Sequence, residues 1–541
     1  MSEEEIFPSA TPRPGSAQAA QGDASAQPGE DHFSGEGVER RWPIRRLALA
    51  LGIVLLLALA GIFAWQTFFP SLSGRLQSGE AYWRAGQLAR QERNWDEASA
   101  RFAQAIAQTD PVISTLENTQ QLRELTEQEK KQLGLAYWLR ARAIFAAAAT
   151  QLEKEAAEKK TSLPAGLPRA DRGDELELFL IPDRDSRAAA LNSLYRASQY
   201  LQTDLAVLRE ALKHRMNEPF EVWNWRHLRQ LGESVARSEN AEPGSLARAY
   251  FVLALHGFYQ PEISGESARL PPAEKKQLPA MLESLQWLEK LESVEQPLRF
   301  RAVYLRARIW QWLAENFRSQ PPRDPAESKK YRQLLEQLLF DPTEGLPGKL
   351  GQRAENALAE LSPMDIEGAF GLYRLGLANV GKSGDGVQAE IQNRMRSLSE
   401  SVVRLAKQAE SFPPERGLHA WRVVEESATV LREVPTRLAP LPDWWRHAGQ
   451  QLDESAEKVA RTFSKETAVT ACQALAHLAI QLAQASSAEP AAQRRHWLHR
   501  AELWSKRSAE LLKKSPRIEP RWREEQEKLE RRIHALRIST P

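Results

Sequence analysis

The sequence predicts an all-α protein, with a single transmembrane helix followed by an α-solenoid of irregular helix pairs. Three observations carry this. Leu47–Trp65 is an unbroken apolar run without a charged residue. From Gln77 onward, apolar residues recur at helical spacing in segments rich in Ala, Leu, Glu, Gln and Arg, with almost no alternating pattern. Proline and glycine gather in the joints between those segments, as at Pro164–Pro168, Pro261–Pro279, Pro321–Pro325, Pro342–Pro347, Pro413–Pro414 and Pro435–Pro442.

The apolar run organises the chain. A helix of roughly 20 residues spans the ~30 Å hydrocarbon layer, and no water is available there to bond an exposed peptide group. Trp42 on one side and Trp65, Phe68 and Phe69 on the other occupy the interfacial positions. Residues 42–69 are therefore read as one membrane span. Residues 1–41, rich in Ser, Ala, Gly, Pro and Gln, lack periodic apolar positions and are expected to be a disordered tail. Arg40, Arg41, Arg45 and Arg46 precede the run, whereas the nearest cation after it is Arg75. The positive-inside bias places the tail in the cytoplasm and residues 70–541 outside it. The Ala58-Leu59-Ala60 triplet offers a competing reading as a cleaved signal peptide. The long preceding segment, and the apolar run continuing through Ile62, Phe63 and Trp65, oppose it.

Composition narrows the function classes. Lys+Arg 73 against Asp+Glu 71 leaves no basic excess of the kind that releases phosphate counterions, so a dedicated nucleic-acid binder is disfavoured. One cysteine, Cys472, excludes an internal disulfide and a Cys-rich zinc site. Arg outnumbers Lys and Ala is abundant, as in a GC-rich bacterial source. Sixteen tryptophans are expected to anchor helix packing, since each buries a large apolar area.

Residues 81–111 read AYWRAGQLARQERNWDEASARFAQAIAQTDP. Tyr82, Ala85, Gly86 and Ala89, then Trp95, Ala98, Phe102, Ala105 and Pro111, follow the pattern of a tetratricopeptide (TPR) repeat, and the stretch resembles that family. Small residues let the two helices approach closely, aromatics fill the gap to the next pair, and proline closes the second helix. Weaker echoes recur at Trp138–Arg142, Tyr195–Ala197 and Tyr304–Arg308, and a second Asp-Pro, Asp341-Pro342, closes the helix that begins near Lys329. Arg142 and Arg308 stand where the family has glycine, so looser crossings are expected there. Two inserts, 155–185 and 260–276, interrupt the series. The first opens on the charged run EKEAAEKK and continues to Leu176–Ile181. Ala468–Ala485 and Arg494–Lys513 form a further pair, with Trp497, Ala501 and Trp504 on related faces. A polar last helix from Pro520 is suited to capping a solenoid.

The candidate sites are weak. Gly376–Ser383 fits the spacing of a phosphate-binding loop, in which Lys382 would reach the phosphates. It follows a helical rather than a strand pattern, however, and reads better as a helix crossing at Leu375-Gly376 with a turn at Gly384-Asp385. His496, His499 and Glu502 share a helix face without a metalloprotease motif. Cys472 lies in an Ala-rich helix, where an inert buried thiol is expected. The region Lys506–Arg537, with Lys513, Lys514, Arg517, Arg521 and Arg523, is interleaved with Glu510, Glu519, Glu524 and Glu525 and reads as a solvated ion-pair surface. No catalytic, cofactor-binding or metal-binding residue is assigned. The resemblance implies a non-enzymatic scaffold for protein–protein interaction, here at the extracytoplasmic face of a bacterial inner membrane. Its partners would be the bilayer and proteins not identified by the sequence. The alternatives are an envelope enzyme on a helical toroid and a structural spacer.

Overall fold

The computed structural model describes residues 71–539 apart from 162, 164–166, 169–174, 219–222, 265–266, 270–275, 295–299, 318–323, 341–348, 381–387, 435–441, 465–467, 486–490 and 515–519. They belong to one compact unit, Leu72–Pro541. The expected tail and the expected span at Leu47–Trp65 lie outside the described residues. So do Asp341-Pro342 and Gly384-Asp385. Among the described residues, no helix is long and apolar enough to cross a membrane.

Eighteen α-helices make up almost all of the described fold. They are α1 (Leu72–Gln91), α2 (Trp95–Leu122), α3 (Glu127–Lys159), α4 (Arg184–Tyr200), α5 (Leu205–Met216), α6 (Trp225–Ala236), α7 (Pro243–Tyr259), α8 (Leu278–Val294) and α9 (Phe300–Asn316). There follow α10 (Pro325–Phe340), α11 (Lys349–Ala357), α12 (Pro363–Asn379), α13 (Gln388–Ala409), α14 (Gly417–Glu433), α15 (Asp443–Thr462), α16 (Val469–Ala485), α17 (Ala491–Lys514) and α18 (Pro520–Ile538). Up to α10 each helix packs on its neighbours in sequence; beyond it α9 packs on α12, α12 on α14, α13 on α15 and α14 on α16, and the fold is solenoid-like. The core is correspondingly a relay of apolar clusters rather than one centre. Trp83, Phe102 and Leu139 belong to the first, residues from Val112 to Tyr331 to the second, and residues from Phe300 to Ile533 to the third.

Local chemistry sets the first joints. Arg93 takes a left-handed conformation (φ 61°) in the α1–α2 turn. Asn94 then caps α2 by accepting the Glu97 N–H. A reciprocal capping box between Thr126 and Glu129 starts α3. Gly86 is required where α1 meets α2, because a Cβ there would lie 2.6 Å from Cε1 of the fully buried Phe102 ring. The small-residue crossing expected from the sequence is thus present.

Four expectations need correction. Pro111 does not close the second helix, since α2 continues through it to Leu122. A proline removes one helical hydrogen bond, and the turns on both sides hold the helix across it. The charged run EKEAAEKK is not part of a loop but the last turns of α3, ending at Lys160 in a left-handed cap. Ion pairs such as Lys159–Glu155 at 3.0 Å line that surface. The second insert contains a short antiparallel hairpin, Glu262–Ser264 paired with Ser267–Arg269. Finally, Arg308 is exposed, donates to the Tyr304 hydroxyl at 3.0 Å and reaches the Phe258 ring of α7 at 5.5 Å, so it stands at the rim of the packing rather than in place of a crossing glycine.

The C-terminal pair α16–α17 forms as the spacing predicts, with Trp497, Ala501 and Trp504 buried. The last helix, α18, buries only Gln526, Leu529 and Ile533. It is fastened by polar bonds: Gln526 Nε2 donates to the Ser505 carbonyl (3.1 Å) and Gln473 Nε2 to the Trp522 carbonyl (2.9 Å), and His477 bonds Glu525 (2.9 Å).

Candidate interaction groove

A concavity with an apolar lining lies at the N-terminal end of the described body. α1 contributes Leu76, Gln77, Glu80, Ala81 and Arg84, spaced to share one helix face. Leu135, Trp138, Leu139 and Arg142 do the same from α3, and Asp204 and Ala206 close the end at the start of α5. The groove has a volume of about 850 Å³. Gly79 lets the walls meet, because a Cβ at that position would already lie 3.0 Å from Leu139 Cδ2.

Arg142 sets the electrostatics. Its guanidinium lies 3.5 Å from the centre of the Trp83 ring and 5.7 Å from that of Trp138, so the buried cation rests on aromatic faces. Glu80 reaches both Arg142 (3.6 Å) and Arg84 (3.2 Å). Asp204 spends its carboxylate on the Ala206 and Val207 amides, capping α5. Leu135 remains 38% exposed on the wall of the groove.

A smaller cavity of about 310 Å³ lies among α6, α7 and α8 and gathers Arg229, Glu233, His256, Glu283 and Trp287. Its carboxylates are engaged: Arg229 and Arg237 pair with Glu233 at 2.8 and 3.2 Å, and Trp287 Nε1 donates to Glu283 at 3.3 Å. Burial, assisted by Arg229, pushes the His256 imidazole down to about 4, which keeps it neutral near pH 7.

The described residues of the sites named from sequence line neither cavity. Gly376 lies within α12, one turn from its end, where a Cβ would approach Leu398 Cδ1 to 3.2 Å. Lys382 and Ser383 lie outside the described residues. His496 and His499 are exposed on α17, and Glu502 pairs with Arg537 at 3.0 Å. Among the described residues, no group of three His, Cys, Asp or Glu side chains is arranged to hold a metal ion. Cys472 is fully buried in α16, and burial pushes its thiol up to about 12.

No family model matches the chain, and no curated protein matches it. Among solved structures it is similar to a chain described as "Homology model of the full-length AP-3 complex in an intermediate open conformation", at 11% identity over 91% of this chain and 99% of that one. The TM-score of 0.19 does not indicate a shared fold.

The groove was only half legible in the sequence. Trp83 and Arg142 stand out in the repeated Tyr/Trp-x-Arg-Ala motif, but nothing in the spacing places one on the other. The signal that could have found the site is Leu135, one turn before Trp138 on a face otherwise continuous with the α1 stripe.

Proposed function

We propose that the chain is a single-span membrane protein whose helical body is a TPR-like scaffold for protein–protein interaction at the extracytoplasmic face of a bacterial inner membrane. The anchor rests on the apolar run Leu47–Trp65 and the arginines before it. The scaffold reading rests above all on the groove between α1 and α3, with its apolar walls, its shared Glu80–arginine cluster and the exposed Leu135. Such a surface suits an amphipathic segment of a partner. Tethering to the bilayer raises the effective concentration of partners in the same membrane. The enzyme alternative would draw on the smaller cavity, whose carboxylates are already engaged by arginines and an indole. A plain spacer has no need of an uncovered groove.

Two experiments test the proposal. Reporter fusions after residue 20 and after residue 541 should report opposite sides of the membrane, and a common side would refute the anchor. Chemical crosslinking in native membranes should capture discrete partners with the unaltered chain and lose them with Leu135→Arg. Capture unaffected by that substitution would refute the groove as the binding surface.

A further inference from the structure

A second surface holds a segment of this chain in the way a protein holds a separate peptide. Glu210, Lys213 and His214 share one face of α5, and that face is covered by residues 175–181 rather than by a helix. Glu210, itself buried, accepts the Leu176 N–H at 3.2 Å. Lys213 Nζ donates to the Leu176 carbonyl at 2.8 Å, and His214 Nε2 bonds the same carbonyl at 2.9 Å. Lys213 also pairs with Glu177 at 2.7 Å. Leu176, Leu178 and Ile181 are buried almost completely, while Phe179 stays 37% exposed with its ring centre 5.3 Å from that of His214.

Both main-chain groups of Leu176 are therefore satisfied by side chains of α5, with two leucines inserted beside them. Main-chain bonds for affinity and alternate side-chain pockets for specificity are the components of peptide recognition. Within the segment, regular structure is limited to one 3-10 turn, Leu178–Leu180. The segment buries three apolar side chains where α5 buries five, so it opens more readily than the helix beneath it. Burial pushes His214 down to about 3, so its ring stays neutral and can donate from Nε2.

We infer that α5 carries a peptide-docking face occupied in cis by residues 175–181, and that this segment detaches as a unit to admit a partner peptide of the same chemistry. That chemistry is two leucines flanking an acidic residue, with the N–H and C=O of the first leucine free to bond. The tether gives the resident segment an effective concentration on the order of millimolar, so a partner must bind tightly or arrive held nearby.

Hydrogen exchange on the full-length protein tests the detachment. The Leu176 amide should exchange at least about 100-fold faster than the Leu208 and Leu212 amides of α5, and with a smaller denaturant dependence. Exchange of all three at one common rate would overturn the proposal. A fluorescent peptide of residues 175–182 should bind the full-length Leu176→Asp/Leu178→Asp variant at least about tenfold more tightly than the unaltered chain, which its own segment protects. That binding should be lost on adding Glu210→Ala. A folded double variant that does not bind the peptide would also overturn it. If the double variant does not fold, the exchange experiment decides alone.

Discussion

The two ends of the body are built on different economies of packing. At the N-terminal end, α1, α2 and α3 meet through small residues, with Gly86 under Phe102 and Gly79 under Leu139, and a buried cation lies on the Trp83 ring. At the C-terminal end, α14 to α18 close around Trp421, Trp445 and Trp504, all fully buried. Each indole N–H there is satisfied: Trp421 donates to the Phe463 carbonyl (3.0 Å), Trp445 to the Leu431 carbonyl (2.9 Å) and Trp504 to Asp453 (2.8 Å). The C-terminal end turns these three indoles inward, while Trp444 lines a groove of about 510 Å³ between α13 and α15. The N-terminal end turns Trp138, Leu135 and two arginines toward an open groove. In a solenoid, where each helix answers mainly to its neighbours, one end can specialise in stability and the other in contact.

The largest effect should come from the closed end. Trp421→Ala leaves a large cavity and orphans the Phe463 carbonyl, so a loss of about 3–5 kcal/mol is expected in urea melts. A loss below about 1 kcal/mol would break the contrast. At the open end, Gly86→Leu should cost about 1–3 kcal/mol by driving the Phe102 ring from its site. The damage should remain local, shown by faster proteolysis of α1–α3 with the C-terminal core intact.

A pH experiment sharpens the comparison. Glu426 is buried in α14 among Arg374 and Glu367 of α12 and Arg422 and Glu425 of its own helix, while Thr470 of α16 bonds Glu425. Burial raises its carboxyl from 4.5 to about 7, against the pull of the two arginines. A folded-state value above the unfolded one means that ionisation opposes folding. The penalty is absent below about pH 4.5 and complete above about pH 7. The stability of Glu426→Gln relative to the unaltered chain should therefore rise between those values, by up to about 3 kcal/mol. A flat difference across that window would contradict the burial argument. The smallest effect concerns α2: because the helix runs on past Pro111, Pro111→Ala should stabilise it by about 1 kcal/mol without altering its length. Destabilisation there would favour a terminating role for the proline.

Helix content and the bounds of the two C-terminal helices were readable because apolar spacing and capping residues act locally. Ala468–Ala485 was expected and Val469–Ala485 is seen; Arg494–Lys513 was expected and Ala491–Lys514 is seen. What was not readable depends on distant partners. A proline reads as a stop unless the flanking turns are anchored, and Val112, Ile113 and Leu116 are buried beyond Pro111. Leu176–Ile181 reads as loop because its hydrogen bonds are supplied by α5 rather than by its own neighbours. The groove combines both cases, since the α1 stripe is periodic in sequence but the Arg142–Trp83 contact exists only after folding.

The most direct measurement is site-specific photocrosslinking from the groove in native membranes. A photoreactive residue replaces Leu135 in one chain and Leu418 in another, the latter 66% exposed at the start of α14 and remote in sequence. The expected result is a discrete protein adduct from position 135 that disappears when Ala81→Arg is added, with none from position 418. Equal adducts from both positions, or none from 135, would contradict a scaffold that binds through its N-terminal groove.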